Sequence, residues 1–511
     1  MAIPSIRTDY LDQAAALRPF YQYAPQAPDF GRIMADKGQE SIDRSLLADV
    51  IRSQYGDLDP GEAVRRNLDR LRQPHAFTVT TGHQLVLYGG PLFTVYKVMH
   101  AVRLAEELSQ QFPDQAVVPI FWIHTEDHDY EEVNHYYQNF HAQRRYSGRF
   151  RSEVGSHVLE PSIRGIWPEH LPADLRETFA PGRSLAEAFR AFFHALFKDY
   201  GLLILDASDA RLKAQFAAVM AAEVDEQVAS QRVGETSAAL KRAGYPQQIH
   251  PREINLFYLD QQGRDRLVHQ NGHYMVKGRD LRFSPEDLHA LLRDHPERFS
   301  PNVSLRPLYQ ETILPNLAYI GGWGELSYWL QLKGVFDHFG VNFPLLLPRF
   351  SATVFPQAYL QPWQAFGFEA MDIRRDLYAL YRQYMPQVWD ASAFDQMEAD
   401  LLAQIEQLRA YIEQDLSPTL ARSADALATK NRRYLQNLRK KAHRVLRHRQ
   451  PQPFREIEAI KLAVQPDGLM QERVWSLPTV AEWIAPQDFL TQIAQTCQPL
   501  DFAHQIMVVG T

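Results

Sequence analysis

The residues best suited to chemistry fall into two clusters about forty positions apart. The first, Thr80-Thr81-Gly82-His83-Gln84 followed by Gly89-Gly90-Pro91, joins a histidine to small residues that let backbone approach a ligand. A glycine leading into a helix N-terminus makes an anion site, and a histidine there can donate to phosphate oxygens. The second, His124-Thr125-Glu126-Asp127-His128-Asp129, packs five titratable groups into six residues and runs on to Glu131, Glu132, Asn134 and His135. Asp127 and His128 are its best candidates for polar contact with a substrate or nucleotide. In strand geometry they point to opposite faces, so one of the two is expected to face the ligand. Histidine with carboxylate is also a zinc or manganese ligand set. A metal-dependent hydrolase built on His124, Asp127, His128 and His135 is therefore a competing reading.

Two later stretches add candidates. Ser300–Pro307 carries Asn302 and Arg306, and Arg306 can clamp a carboxylate or phosphate through two parallel hydrogen bonds. Tyr319–Leu326 contains Gly321, Gly322, Trp323 and Glu325, a glycine-rich turn opening a helix. It repeats the backbone-amide logic for an anion, while Glu325 also suits the positive end of a helix dipole.

The flanking segments position these clusters. Ala76–Thr80 and Val117–Ile123 are short, apolar and rich in β-branched or aromatic residues, and predict buried strands. Between them, Val95, Val98, Met99, Val102, Ala105 and Leu108 recur at helical spacing over Leu92–Phe112. A strand–helix–strand unit makes a parallel pair and binds ligands at the carboxyl ends of its strands. Both clusters fall there. Leu185–Lys198 predicts a helix and Gly201–Asp206 a strand ending in a carboxylate. Gly324–His338 predicts another helix leading into a strand, Val341–Arg349, with a charge at its end. This alternation indicates a parallel sheet with helices on its faces. Pro119 and Pro344 push their residues towards strand starts or bulges. The irregular stretch 135–181 and a region near 245–295, with a hairpin turning at Gly263, are expected insertions into the sheet domain.

Beyond about Phe394 the pattern changes. Leu401, Ile405, Leu408 and Ile412, then Leu420, Ala424, Leu427, Asn431, Tyr434, Leu438, Lys441 and Val445, alternate steps of four and three. Such heptads predict an antiparallel helical coiled coil, with Asn431 as a polar register pin. The expected division is a core over 1–375, the coiled coil over 376–450, and a segment 451–511 packing back on the core. Lys430–Arg449 holds nine Lys or Arg and no acid, but a net charge of −7 over 511 residues favours a solvated face over a nucleic-acid contact. A single cysteine, Cys497, excludes an internal disulfide framework. The N-terminus lacks the layout of a signal peptide and no apolar run approaches membrane-spanning length. A soluble cytoplasmic protein is expected.

At these residues the chain resembles the BshC family of bacillithiol biosynthesis. The matching stretches are Thr81–Gln84 with Gly90-Pro91-Leu92 and Lys97; Pro119–Ile123 with Glu126–Asp129; Gly201–Asp206; Asn302–Arg306; Gly321–Trp329 with Gln331-Leu332-Lys333; and Gln471-Glu472-Arg473. The family often has glutamine where this chain has His83. The resemblance implies an α/β fold, a Rossmann-like parallel sheet core with connecting insertions similar to class I aminoacyl-tRNA synthetases, plus an antiparallel coiled coil used for homodimerisation. It implies a ligase joining the carboxyl of L-cysteine to the amine of glucosaminyl malate, activated through an adenylate. ATP or another nucleotide is then the expected cofactor, with no metal beyond Mg accompanying it, and neither nucleic acid nor membrane is an expected partner. On that reading His83, Asp127 and His128 are catalytic. Gln84, Glu126, Asn302, Arg306, Trp323 and Glu325 contact substrate, and Thr81, Gly82, Gly321 and Gly322 contact the nucleotide. A non-catalytic nucleotide-binding scaffold working through its coiled coil is the other rival.

Overall fold

The computed structural model describes residues 5–148 and 153–510. Its central feature is a five-stranded, wholly parallel sheet. The strands are β1 (Ala76–Gln84), β2 (Ala116–His124) and β3 (Leu203–Asp206), with the last two contributed much later in the chain. Helix α1 (Leu92–Gln111) connects β1 to β2, and α2 (Leu185–Phe197) precedes β3. A capping box starts α2: the Glu187 N–H donates to Ser184 Oγ, and the Ser184 N–H donates to the Glu187 carboxylate.

A second sheet of antiparallel strands interrupts the alternation: β4 (Leu256–Asp260), β5 (Gly263–Gln270), β6 (His273–Val276), β7 (Arg282–Phe283) and β8 (Phe299–Pro301), ordered β8-β4-β5-β6-β7. The hairpin expected around Gly263 is thus part of a larger inserted sheet. After it come α3 (Arg306–Ile313), β9 (Asn316–Gly321), α4 (Trp323–Trp329) and β10 (Leu345–Pro348). The parallel order is β10-β9-β1-β2-β3. The chain leaves β1 towards β2 on one side and later returns to β9 on the other, so the sheet's direction of winding reverses between β1 and β9. That is the topological switch point, where ligands bind in such sheets.

Neighbouring residues of β2 serve opposite faces. Val117 packs with Val79, Leu104 and Leu317, whereas Val118, Ile120 and Trp122 pack with Leu203, Leu205 and Tyr309. Each such fully buried aliphatic side chain contributes about 1.5–3 kcal/mol. Covering both faces is what makes these strands read as continuous apolar runs. Pro119 lies inside β2, opposite Val79. Pairing with β3 begins only at Ile120, so at Pro119 the strand has one neighbour and a missing N–H is tolerated. Pro344 falls just before β10.

Two expectations about elements are corrected. Strand β1 continues through Thr81–Gln84, because β2 pairs with it as far as Gln84↔His124. The first motif is therefore on the strand, and the turn lies later, at Tyr88, Gly89 and Gly90, all with positive φ. The helix Gly324–His338 is divided into α4, a 3-10 turn at Leu330–Leu332 and a helix at Lys333–Phe339. Of the expected insertion 135–181, residues 149–152 lie outside the described residues; the rest holds a two-stranded ribbon, His135–Tyr137 with Gln143–Arg145, short 3-10 turns and a short α-helix, Ala173–Glu177.

The chain divides into two compact units. The first runs to Ala352 and takes in Glu472–Met507; the second comprises Thr353–Gln471 and the chain from Val508. The division falls at 352/353 rather than 375/376, and most of the final segment belongs with the Rossmann-like unit. Within the second unit, α5 (Ser392–Tyr411) and α6 (Pro418–Arg449) form the antiparallel hairpin. Arg409 pairs with Asp425 at 2.7 Å near the bend, and Arg439 pairs with Glu398 at 2.7 Å and with Asp395 towards the open end. Ile405, Ala421 and Ala424 are buried between the helices, but Leu420, Leu427, Leu438 and Val445 are exposed, and Tyr434 is 70% exposed. Asn431 donates to the Leu427 carbonyl of its own helix and so pins no register here.

Candidate active site

A cavity of about 380 Å³ opens at the switch point. Strand β1 delivers Gly82, His83 and Gln84 to it, and the end of β2 delivers His124 and Asp127. Lys97 and Phe93 reach it from the first turns of α1, Arg306 from the start of α3, and Gly322, Glu325 and Tyr328 from the turn into α4. Arg349, just after β10, and Arg473, from the C-terminal part of the chain, complete the wall.

The floor is an ion pair. Lys97, 1% exposed, donates to the Gly82 carbonyl at 2.6 Å and to both Glu325 oxygens at 2.9 Å. Tyr319 Oη and the Gly322 N–H donate to the same carboxylate at 2.9 and 2.8 Å. Burial opposes ionisation of Glu325, but Lys97 and these donors outweigh it and hold its carboxyl below the usual range. The amide at the glycine-rich turn is therefore already engaged by Glu325. Of the turn's amides, that of Gly322 is thus not open to an anion.

Two histidines stand over the floor. Burial, with Lys97 nearby, lowers His83 to about 4, and burial with Arg306 and His83 takes His124 well below its ordinary value. Both are neutral at physiological pH. His83 Nδ1 lies 2.9 Å from the Gln84 carbonyl, which can only accept, so Nδ1 carries the proton and Nε2 keeps its lone pair. His83 thus offers an acceptor, where sequence reasoning expected a donor to phosphate. Gly82 owes its lack of a side chain to packing: a Cβ would stand 3.0 Å from His124 Nε2 and 3.2 Å from the Trp122 carbonyl.

Charge is divided across the cavity. Arg349 is already paired with Glu472 at 2.6 Å and lies over the Phe93 ring, 5.0 Å from its centre. Arg306 and Arg473 carry no ion pair among the described residues and are available to an anion. Asp127, on the same cavity, accepts from Gln84 Nε2 at 3.1 Å and has Arg264 at 3.8 Å. Burial alone would raise its carboxyl, but Arg306, Arg264 and Gln84 more than offset this and keep it anionic. Such a cavity can hold an ammonium group and an anionic group side by side, with an unprotonated imidazole nitrogen near both.

A smaller cavity of about 20 Å³ shares His124, Asp127 and Arg306 with the larger one. Behind it Glu126 accepts from buried Lys213 at 2.6 Å and from Ser300 Oγ at 2.8 Å, while Lys213 also donates to the Phe299 carbonyl. Glu126 ties the β2 end to the inserted sheet, and both its oxygens are occupied by these partners.

Of the expected site residues, the structure gathers Gly82, His83, Gln84, Asp127, Arg306, Gly322 and Glu325 on the main cavity and Glu126 on the small one. Five stand elsewhere. Thr81 Oγ1 donates to the Ile320 carbonyl inside the sheet. His128 is exposed and hydrogen-bonded to Arg264. Asn302 joins Asn255 and caps the Ser304 N–H. Trp323 packs on Tyr10 and Arg7, and a Cβ on Gly321 would meet Leu326 and Tyr319 at 2.9 Å. Sequence reasoning did not single out Arg264 or Lys213. Lys97, Tyr328 and Arg473 carried a signal only as parts of the family pattern, and Arg349 only as the charge closing an apolar strand. His124, Asp127, His128 and His135 do not converge: no group of three or more His, Cys, Asp or Glu among the described residues is placed to hold a metal ion. Cys497 is buried, which pushes its thiol up to about 12 and makes it a poor nucleophile. No helix among the described residues is long and apolar enough to cross a membrane.

Comparison with known proteins covers the whole of this architecture. Residues 2–350 match the family model described as "Bacillithiol biosynthesis BshC, N-terminal Rossmann-like domain", and residues 352–509 match "Bacillithiol biosynthesis BshC, C-terminal coiled-coil domain". A protein of Cytophaga hutchinsonii is 32% identical over 507 residues, 98% of this chain and 95% of that protein. One of Flavobacterium psychrophilum is 32% identical over 519 residues, 98% and 96% of the two chains. One of Christiangramia forsetii is 38% identical over 361 residues, 67% of each. All three bear the name "Putative cysteine ligase BshC".

Proposed function

Because the chain belongs to the BshC family of bacillithiol biosynthesis, we propose that it is a ligase that joins the carboxyl group of L-cysteine to the amine of glucosaminyl malate. The observation that carries this reading is the cavity at the switch point, lined by Arg306, Arg473 and Asp127 together with the bare Nε2 of His83. Forming an amide from a carboxylate requires activation, and a nucleotide such as ATP, with Mg, supplies the group that makes the cysteine carboxyl an acyl donor. The two unpaired guanidinium groups suit its phosphates or the carboxylates of the malate moiety. Asp127 holds an ammonium. His83 Nε2 accepts a proton from the attacking amine as the new C–N bond forms and the activating group leaves the cysteine carboxyl carbon with its bonding electrons. Fixing these groups before reaction is where such a site gains rate, through orientation and preorganised charge.

The same proposal has the protein act as a homodimer through the coiled coil. Leu420, Leu427, Tyr434, Leu438 and Val445 are left uncovered by α5, and a second copy's hairpin would cover them. A single, buried cysteine fits work in a reducing cytoplasm.

The test is incubation of the full-length protein with cysteine, glucosaminyl malate, ATP and Mg²⁺, followed by mass spectrometry. The expected product is the cysteinyl amide, with one nucleotide cleaved per amide formed. Product without any nucleotide would remove the activation step and keep the ligase. No product under any nucleotide and metal-ion mixture would overturn the reading.

A further inference from the structure

We propose that Arg264, reaching in from the inserted sheet, is a positioning residue that sets the tautomer of His128 and the orientation of the Asp127 carboxylate. Arg264 lies on β5 and is buried. All three nitrogens of its guanidinium are placed. Nε donates to Ser300 Oγ at 3.0 Å, one terminal nitrogen lies 3.1 Å from His128 Nδ1 and 3.8 Å from Asp127, and the other reaches the Pro301 carbonyl. The plane rests on Phe257, 3.9 Å from the ring centre. A side chain fixed on so many sides has one geometry to offer.

The chemistry of that geometry is asymmetric. Guanidinium has donors and no acceptor, so the His128 nitrogen facing it must be the bare one. The proton of neutral His128 then sits on Nε2, and the ring presents an N–H away from Arg264. Asp127 receives the same cation on one oxygen and Gln84 Nε2 on the other. Its remaining charged or titratable surroundings are Arg306, His128, His124 across the shared wall, and Glu132, which also holds Gln84. Ser300 in turn binds Glu126, whose other oxygen is held by Lys213, so the anchor of Arg264 is braced from the first sheet as well. The inserted sheet thereby reaches Asp127 and His128 through one planar cation.

The effect on turnover rests on the ligase reading above; the tautomer does not. The test therefore has two arms. In full-length protein labelled with ¹⁵N-histidine, the His128 signals are identified by their loss in His128→Gln. Long-range ¹H–¹⁵N spectra at neutral pH should show an unprotonated Nδ1 and a protonated Nε2, and Arg264→Lys, which keeps a charge but loses the fork, should mix the tautomers. An Nδ1–H ring or an imidazolium in the wild type overturns the proposal, whatever the variants do. In the activity arm, Arg264→Lys should raise the KM for the amine-bearing substrate about tenfold with kcat within about twofold, the size of one lost charge-assisted contact. The acid limb of the pH profile should move upward, because one of the cations holding Asp127 ionised has been displaced. Ser300→Ala, a milder change that releases Arg264 Nε and one oxygen of Glu126, should shift both readouts the same way by less. An unchanged tautomer with unchanged KM and pH profile in Arg264→Lys would also overturn the assignment. If no variant or wild type forms product, the ligase reading fails while the spectrum still decides the role of Arg264.

Discussion

Removing Lys97 should cost the fold and the site together, and the size of the loss follows from its contacts. Lys97→Met keeps the bulk of the side chain and deletes the donor to Gly82 and to both oxygens of Glu325. Breaking a buried pair by removing one partner costs roughly 3–5 kcal/mol. Here the Glu325 side chain retains 29% exposure, the Gly322 N–H and the Tyr319 hydroxyl, so solvent and these donors recover part of the loss. About 2–3 kcal/mol of destabilisation is expected. Glu325→Gln leaves Lys97 with 1% side-chain exposure and no counter-charge, a loss at least as large. In the double variant neither charge remains, so the two losses should not add, and the coupling should be about 1.5–3 kcal/mol. The assay is urea unfolding read by hydrogen exchange in peptides of β1 and α1, which reports the first unit separately from the second. Losses that add to within about 0.5 kcal/mol would refute the idea that this pair forms the floor of the cavity.

Asp127→Asn keeps the shape and removes the charge, so affinity for the amine-bearing substrate should fall by one to two powers of ten, about 1.5–3 kcal/mol, with nucleotide affinity nearly unchanged; calorimetry showing wild-type affinity for both substrates would refute it. His83→Gln keeps a hydrogen-bond acceptor but cannot take up a proton, so it and His83→Ala should both lower kcat about 100-fold, the smaller end of general-base effects; a wild-type kcat in His83→Gln would show that Nε2 takes no proton in the reaction. Glu311 is fully buried, with Lys37 3.9 Å away, and burial pushes its carboxyl up to about 7. Because the folded value lies above the unfolded one, its contribution is present in acid and is lost as pH rises through 7, on the order of 3 kcal/mol in total. Stability measured from pH 5 to 8.5 should fall less in Glu311→Gln than in the wild type. Leu427→Glu with Tyr434→Glu places charge on the exposed stripe of α6 and should yield a monomer by light scattering; an intact dimer would place the interface elsewhere.

How much of this was legible in the sequence depended on sequence distance. The pairing of the two motifs was readable because β-branched and aromatic runs mark both strands, and a helix of the right spacing joins them. The coiled coil was readable for the same reason: a heptad is a local pattern. Arg264 was not, since in the stretch Gly263-Arg264-Asp265-Arg266 it looks like any charge on a half-solvated strand. Only the fold turns it inward, onto residues 136 positions earlier. Lys213 is likewise an unremarked residue on a short helix until Glu126, 87 positions away, is placed beside it. Trp323 misled in the opposite direction: it adjoins the glycine turn in sequence, but α4 rotates it towards Tyr10. Gly82 was noticed for backbone freedom and proved to matter for the space beside His124.

The place of Arg473 in the chain has a consequence for how the protein is made. The parallel sheet is complete once β10 has been synthesised, yet Glu472, which neutralises Arg349 at the cavity wall, follows it by 123 residues. The whole second unit up to Gln471 emerges in between. A growing or prematurely ended chain therefore displays Arg349 without its carboxylate and a cavity with one side missing. A fragment that keeps every strand of the sheet but stops before Glu472 therefore lacks both the partner of Arg349 and the Arg473 side of the cavity wall.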